Sequence, residues 1–151
     1  MENTGKLKPP LAASVVRSLK AGDEVLVSGA VYTARDMAHK RLCQLIDAGE
    51  ELPFPLEGAI IYFVGPTPAR PGQVIGAAGP TTSSRMDAFS PKLIAGGLKA
   101  MIGKGYRGEE VRKALKENNA VHLATIGGAG ALLSKHIVAA EVVAFEELGT
   151  E

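Results

Sequence analysis

Gly76 to Asp87 reads Gly-Ala-Ala-Gly-Pro-Thr-Thr-Ser-Ser-Arg-Met-Asp, four consecutive hydroxyls followed by one cation. Such a run makes poor core and poor strand. It suits a loop that holds an anion, because the Arg85 guanidinium can take a carboxylate in a bidentate fork. Capping a helix needs one hydroxyl and this run offers four, Thr81, Thr82, Ser83 and Ser84, so a ligand loop is the better reading than a cap beside a surface arginine. A threonine hydroxyl is a weak base and takes a proton only in a charged or metal-rich setting.

A second cation, Arg35, follows Thr33, which is placed to cap a helix with Asp36 three residues on. The helix dipole opposes a cation in a first turn. Arg35 makes sense there if an anion docks between it and the free backbone N–H groups; otherwise it is a solvent-exposed arginine paired with Asp36 or Asp47. His39 lies four residues after Arg35, on the same helical face, as a structural histidine or as a group that orients a neighbour or contacts substrate. Gly103-Lys104-Gly105-Tyr106-Arg107-Gly108 matches the dinucleotide fingerprint G-x-G-x-x-G between an expected strand and an expected helix. The acid that the fingerprint requires about 20 residues on is missing, and Val121 to Thr125 ends without Asp or Glu. Lys104 then reads as another anion-binding cation. Gly127-Gly128-Ala129-Gly130 is either a substrate-facing loop or a tight turn. His122 and His136 read as core or surface residues.

The elements that must position these groups follow from periodicity. Leu7 to Leu19 is a lead-in and Lys20 to Asp23 a turn; Glu24 to Val31 alternates as a strand. Ala34, Ala38, Leu42, Leu45 and Ile46 recur at helical spacing until Gly49. Ala59 to Val64 is a central strand, Gly65 to Gly72 a proline-rich loop, Gln73 to Ala77 a short strand. Ser90-Pro91 opens a helix to about Ala95. Leu98 to Ile102, Glu109 to Asn118 and Val121 to Thr125 make a βαβ unit; a short helix to Lys135 and a strand over Ile137 to Phe145 close the chain. The early segments read as antiparallel or irregular. The expectation is one mixed α/β domain over residues 1–151.

Composition narrows the function classes. With 151 residues, 46% apolar and 22% charged, the chain has an ordinary soluble composition. A net charge of +1 gives no argument for nucleic acid or membrane surface, and four Phe, three Tyr and no Trp argue against a base-stacking platform. No apolar run reaches transmembrane length and Met1 to Lys8 lacks a signal-peptide core, so a cytoplasmic location is expected. The single cysteine, Cys43, excludes an internal disulfide and cannot alone hold zinc or an iron–sulfur cluster.

Taken together, Ser28 to Arg41 with its Thr-Ala-Arg-Asp-Met-Ala-His core, Gly79-Pro80-Thr81-Thr82-Ser83-Ser84-Arg85-Met86-Asp87, and Ile102-Gly103-Lys104-Gly105 resemble the C-terminal domain, or separate β subunit, of the class I fumarase and L(+)-tartrate dehydratase family. The resemblance covers about Leu7 to Leu148 and accounts for the glycine motif better than a nucleotide does. It implies a swivelling β/β/α domain of a hydro-lyase, fumarate hydratase first and L(+)-tartrate dehydratase as the alternative. It implies a [4Fe–4S] cluster held by three cysteines of a partner α subunit, with Cys43 matching no ligand and no metal held by this chain. By the same resemblance Arg35, Arg85 and Lys104 bind substrate carboxylates and Thr81 is the candidate base. His39, Thr82 and Asp87 stand behind them. A chain of this kind is inactive alone and works in a hetero-oligomer. The reading from a different class is a nucleotide-binding module built on Gly103 to Gly108.

Overall fold

The computed structural model describes residues 4–65, 69–125 and 136–148. They form a mixed α/β domain whose strands all pair in parallel. Strand β1 (Thr4–Leu7), helix α1 (Ala13–Arg17) and β2 (Glu24–Val27) make a two-stranded sheet with its crossover. Strands β3 (Tyr32–Thr33), β4 (Ile60–Tyr62), β5 (Ala100–Gly103) and β6 (Val121–Ala124) make a second sheet, in that spatial order. Helices α2 (Asp36–Asp47), α3 (Ser90–Ala95) and α4 (Glu109–Glu117) occupy the connections.

Alternation along the central strands divides the core in two. Ile61, Phe63 and Met101 pack with Ala38, Leu42, Leu93, Ile94, Val111 and Ala114 from the helices. Ile60 and Ala100, with Ile102, Val121 and Leu123, pack instead with Leu7, Leu11, Val16, Val25 and Val27 from the β1–β2 unit. Helix α2 buries Ala38, His39, Leu42 and Cys43 on one stripe. It ends in a Schellman motif: Glu50 N–H donates to the Leu45 carbonyl and Gly49 N–H to Ile46, with Gly49 at φ +70°. Helix α4 carries Glu109 and Glu110 in its first turn and Lys116 in its last, complementing the dipole.

Several expectations are corrected. The early strands are parallel, because the chain crosses back through α1 and α2 instead of turning in hairpins. The lead-in contains β1 and α1. Thr33 does not cap α2: it is paired with Tyr62 at the end of β3, and Arg35 occupies the cap position. Ser90 sits inside the first turn of α3, after Phe89. Residues 73–77 form no strand; they return to the end of β4, whose two edges are taken by β3 and β5. Ile137 to Phe145 also forms no strand. Val138 and Val142 are 89% and 70% exposed, and the segment is tied to α2 by Arg41, which lies over the Phe145 ring and pairs with Glu147. Alternation marks a strand only where a neighbouring edge exists to pair with. The Gly127 to Gly130 turn and the helix to Lys135 lie outside the described residues, as does part of the Gly65 to Gly72 loop. Among the described residues no helix is long and apolar enough to cross a membrane.

Candidate functional site

The C-terminal ends of the parallel strands converge on one edge of the sheet, the usual place for ligands in such folds. Arg35 follows β3 by two residues and is half-buried at the start of α2. Thr81 is held to the end of β4, its N–H donating to the Phe63 carbonyl at 2.6 Å. Lys104 follows β5 directly and pairs with Thr82 in an isolated parallel bridge. Ser83 N–H donates to the Lys104 carbonyl at 2.8 Å, and Lys104 N–H to Thr81 at 3.4 Å. The hydroxyl run therefore extends the sheet by one short rung before turning into a 3₁₀ helix over Ser83–Met86. That turn carries Arg85 toward α2, where Nε donates to Asp36 Oδ2 at 3.2 Å and Nη2 lies 3.1 Å from Oδ1. Asp36 is thus paired with Arg85, and Asp47 with Lys92. The four residues Arg35, Thr81, Arg85 and Lys104, separate in sequence, are gathered at one strand-end edge.

His39 is fully buried behind Arg35. Its Nδ1 lies 2.8 Å from the Arg35 carbonyl, and a carbonyl only accepts, so Nδ1 carries the proton. The ring meets Phe63 edge-on at 5.2 Å. His39 therefore orients the Arg35 backbone through one ring nitrogen.

Below the hydroxyl run lies a buried polar network. The Arg107 side chain is 2% exposed. Its Nε donates to Asp87 Oδ1 at 2.8 Å, its Nη2 to Ser90 Oγ at 2.5 Å, and its guanidinium stacks 5.1 Å from the Phe63 centroid. Burial draws Arg107 below its ordinary range and Asp87 opposes that shift. Asp87 Oδ2 accepts from Gly108 N–H at 2.8 Å, at the start of α4. Arg107 Nη1 also reaches His122 Nδ1 at 3.5 Å. Arginine only donates, so this Nδ1 accepts and the neutral ring presents Nε2–H to Ser83 Oγ at 3.3 Å. Burial first, then the Arg107 charge, pushes His122 down to about 4.

The family model described as Fumarase C-terminus matches residues 4–151. The chain belongs to this family. A protein of Methanocaldococcus jannaschii, provisionally named an L(+)-tartrate dehydratase subunit beta, is 38% identical over 138 residues, covering 89% of this chain and 71% of that protein. The anaerobic class I fumarate hydratase of Escherichia coli strain K12 is 39% identical over 130 residues, covering 83% of this chain and 23% of the relative. Fumarate hydratase 2 of Leishmania major is 36% identical over 132 residues, with 86% and 23% covered. The chain thus spans most of the relative named as a subunit and about a quarter of the length of the two fumarate hydratases.

Within this fumarase C-terminus domain the glycine motif has structural work of its own. A Cβ on Gly103 would stand 2.2 Å from Ser83 Oγ and 2.8 Å from the Phe63 ring; Gly105 has φ +83°; a Cβ on Gly108 would stand 2.9 Å from Asp87 Oδ2. The Asp87 carboxylate already sits on the Gly108 N–H, and Glu109 and Glu110 follow it. A phosphate at this helix start would face three carboxylates, which argues against the nucleotide-binding alternative. Sequence reasoning missed Arg107 and gave His122 no role. The signal was present in Asp87: an acid closing the Thr-Thr-Ser-Ser-Arg-Met run needs a buried partner once that run is packed. Cys43 is buried, its thiol lies 3.6 Å from the Phe89 carbonyl, and burial raises its pKa. Among the described residues no group of three His, Cys, Asp or Glu could hold a metal ion.

Proposed function

We propose that this chain is the β subunit of a hydro-lyase that interconverts fumarate and L-malate, working with a cluster-bearing α subunit. The observation that carries this reading is the convergence of Arg35, Thr81, Arg85 and Lys104 on the strand-end edge. A four-carbon dicarboxylate carries two negative charges, and fixed guanidinium and ammonium groups are what it needs in a closed site. Arg35, Arg85 and Lys104 would bind the carboxylates. Thr81, whose carbonyl accepts from the Lys104 N–H at 3.4 Å, would remove the proton α to a carboxylate, and the neighbouring cations would stabilise the charge that develops there.

The residues of this chain do not fit a [4Fe–4S] cluster, since one buried thiol cannot supply three ligands. The cluster would belong to the α subunit. The domain would move as a swivelling β/β/α body to close over that subunit in the cytoplasm, with Thr82 and Asp87 backing the substrate contacts. A second reading is L(+)-tartrate dehydratase, because the Methanocaldococcus jannaschii relative, 38% identical, is provisionally named a subunit beta of that enzyme.

The test is anaerobic co-expression with a cysteine-bearing α subunit and assay on fumarate and on L(+)-tartrate. Hydration of fumarate is the expected outcome; turnover of tartrate alone would shift the substrate. In the assembled enzyme Arg85→Ala should lower kcat/KM by the equivalent of about 3–5 kcal/mol. An unchanged value would remove Arg85 from the site.

A further inference from the structure

Asp36 meets Arg85 through one particular edge of the guanidinium. Nε and Nη2, the nitrogens it engages at 3.2 and 3.1 Å, form the inner fork beside the side-chain stem. The outer fork, Nη1 with the remaining N–H of Nη2, has no ion-pair partner among the described residues, and the Arg85 side chain is 52% exposed. Arg107 is the contrast: its guanidinium is engaged on both sides by Asp87, Ser90 and Met101 and has no edge to offer.

Asp36 is well placed for such a hold. It stands in the first turn of α2, where the helix dipole favours a carboxylate. Its Oδ1 is shielded from water and makes no aligned hydrogen bond, so the Nη2 contact is its compensation. A carboxylate beside an anion site is otherwise a liability, since it repels the ligand. It becomes an asset if it restricts a long, half-exposed arginine whose ordering would otherwise oppose binding.

Building on the dicarboxylate hydro-lyase proposed above, we infer that Asp36 is a positioning residue: it clamps Arg85 by the inner fork and so presents the outer fork to a substrate carboxylate. Electrostatics and positioning predict opposite signs for its removal. If Asp36 is only a nearby charge, Asp36→Asn tightens binding of a dianion. If it positions Arg85, the same change loosens it.

The experiment measures kcat and KM of the assembled enzyme on fumarate and on L(+)-tartrate, with thermal melting as a check on folding. Asp36→Ser, which keeps a short polar group in the first turn, serves as a second variant. The expected result is a rise in KM of about tenfold, equivalent to about 1.4 kcal/mol, with the larger part of the effect in KM and not in kcat. In an Arg85→Gln background the same substitutions should add nothing. An unchanged or lowered KM, or a full effect without Arg85, overturns the positioning role. Arg85→Gln alone separates the two levels. If it is silent, the carboxylate site itself fails and takes the positioning role with it. If it is costly while Asp36→Asn is not, the site stands and only the positioning role falls.

Discussion

Two arginines, each paired with an aspartate, are used in opposite ways. Arg85 is half-exposed and held by one edge, whereas Arg107 is buried and saturated. The buried one organises the floor of the site, because Asp87, Ser90 and His122 all converge on it. His122 supplies a measurable consequence. Its pKa is lowered from 6.5 to about 4 in the fold, so the native state favours the neutral ring and the unfolded chain binds the proton more readily. Stability from this residue is complete above pH 6.5 and is lost as the pH falls from there toward about 4. Between pH 7 and 4.5 this should amount to about 2–3 kcal/mol. Urea denaturation at both pH values should show that decrement in the native protein and a correspondingly smaller one in His122→Gln; equal decrements would mean that the ring is already solvated.

Connections, more than regular elements, decide where the chemistry sits. Gly103 ends β5 with Ser83 and Phe63 pressed against it, and a methyl group there has no room. Gly103→Ala should cost about 1–3 kcal/mol through overpacking and should also lower activity, because relief requires displacement of the Thr81–Ser83 rung. Gly49→Ala is the control. Nothing lies within 4 Å of the place a methyl group would take there, and its φ of +70° predicts a backbone penalty alone, about 1 kcal/mol, with kcat/KM unchanged. Melting and kinetics on the pair would separate the two effects. The same contrast explains what was legible in the sequence. Helices α2 and α4 and the β5–α4–β6 unit follow from apolar spacing and glycine stops, since those signals are local. The parallel pairing of β1 with β2 and of β3 with β4 was not legible, because such short strands carry too little alternation to state their direction. The Arg85–Asp36 pair joins residues 49 positions apart, and no spacing rule reaches that far. The roles given to Arg35, Arg85 and Lys104 rest on the resemblance of whole motifs to a family, because composition and spacing alone leave each of them open to a surface reading.

In the two-subunit enzyme proposed above this domain would bring the cations and its partner the cluster, and that division of labour can be tested by exchanging damaged parts. Cys43 is the one thiol of the chain. It is buried against the Phe89 carbonyl and kept protonated by burial, which makes it a poor metal ligand and a slow target for oxidants. Oxidative loss of activity should therefore reside entirely in the α subunit. If the two subunits are separated anaerobically, this chain can be exposed to oxygen and recombined with untreated partner; full activity on fumarate is the expected result. The reciprocal mixture, untreated chain with oxidised partner, should stay inactive until iron and sulfide are restored. The melting temperature of the isolated chain should not change with either oxygen or an iron chelator, because among the described residues no group of three His, Cys, Asp or Glu could hold a metal ion and tie metal binding to folding. Loss of activity that follows the oxidised β chain, or a chelator-dependent fall in its melting temperature, would place metal chemistry on this domain and overturn the two-subunit assignment.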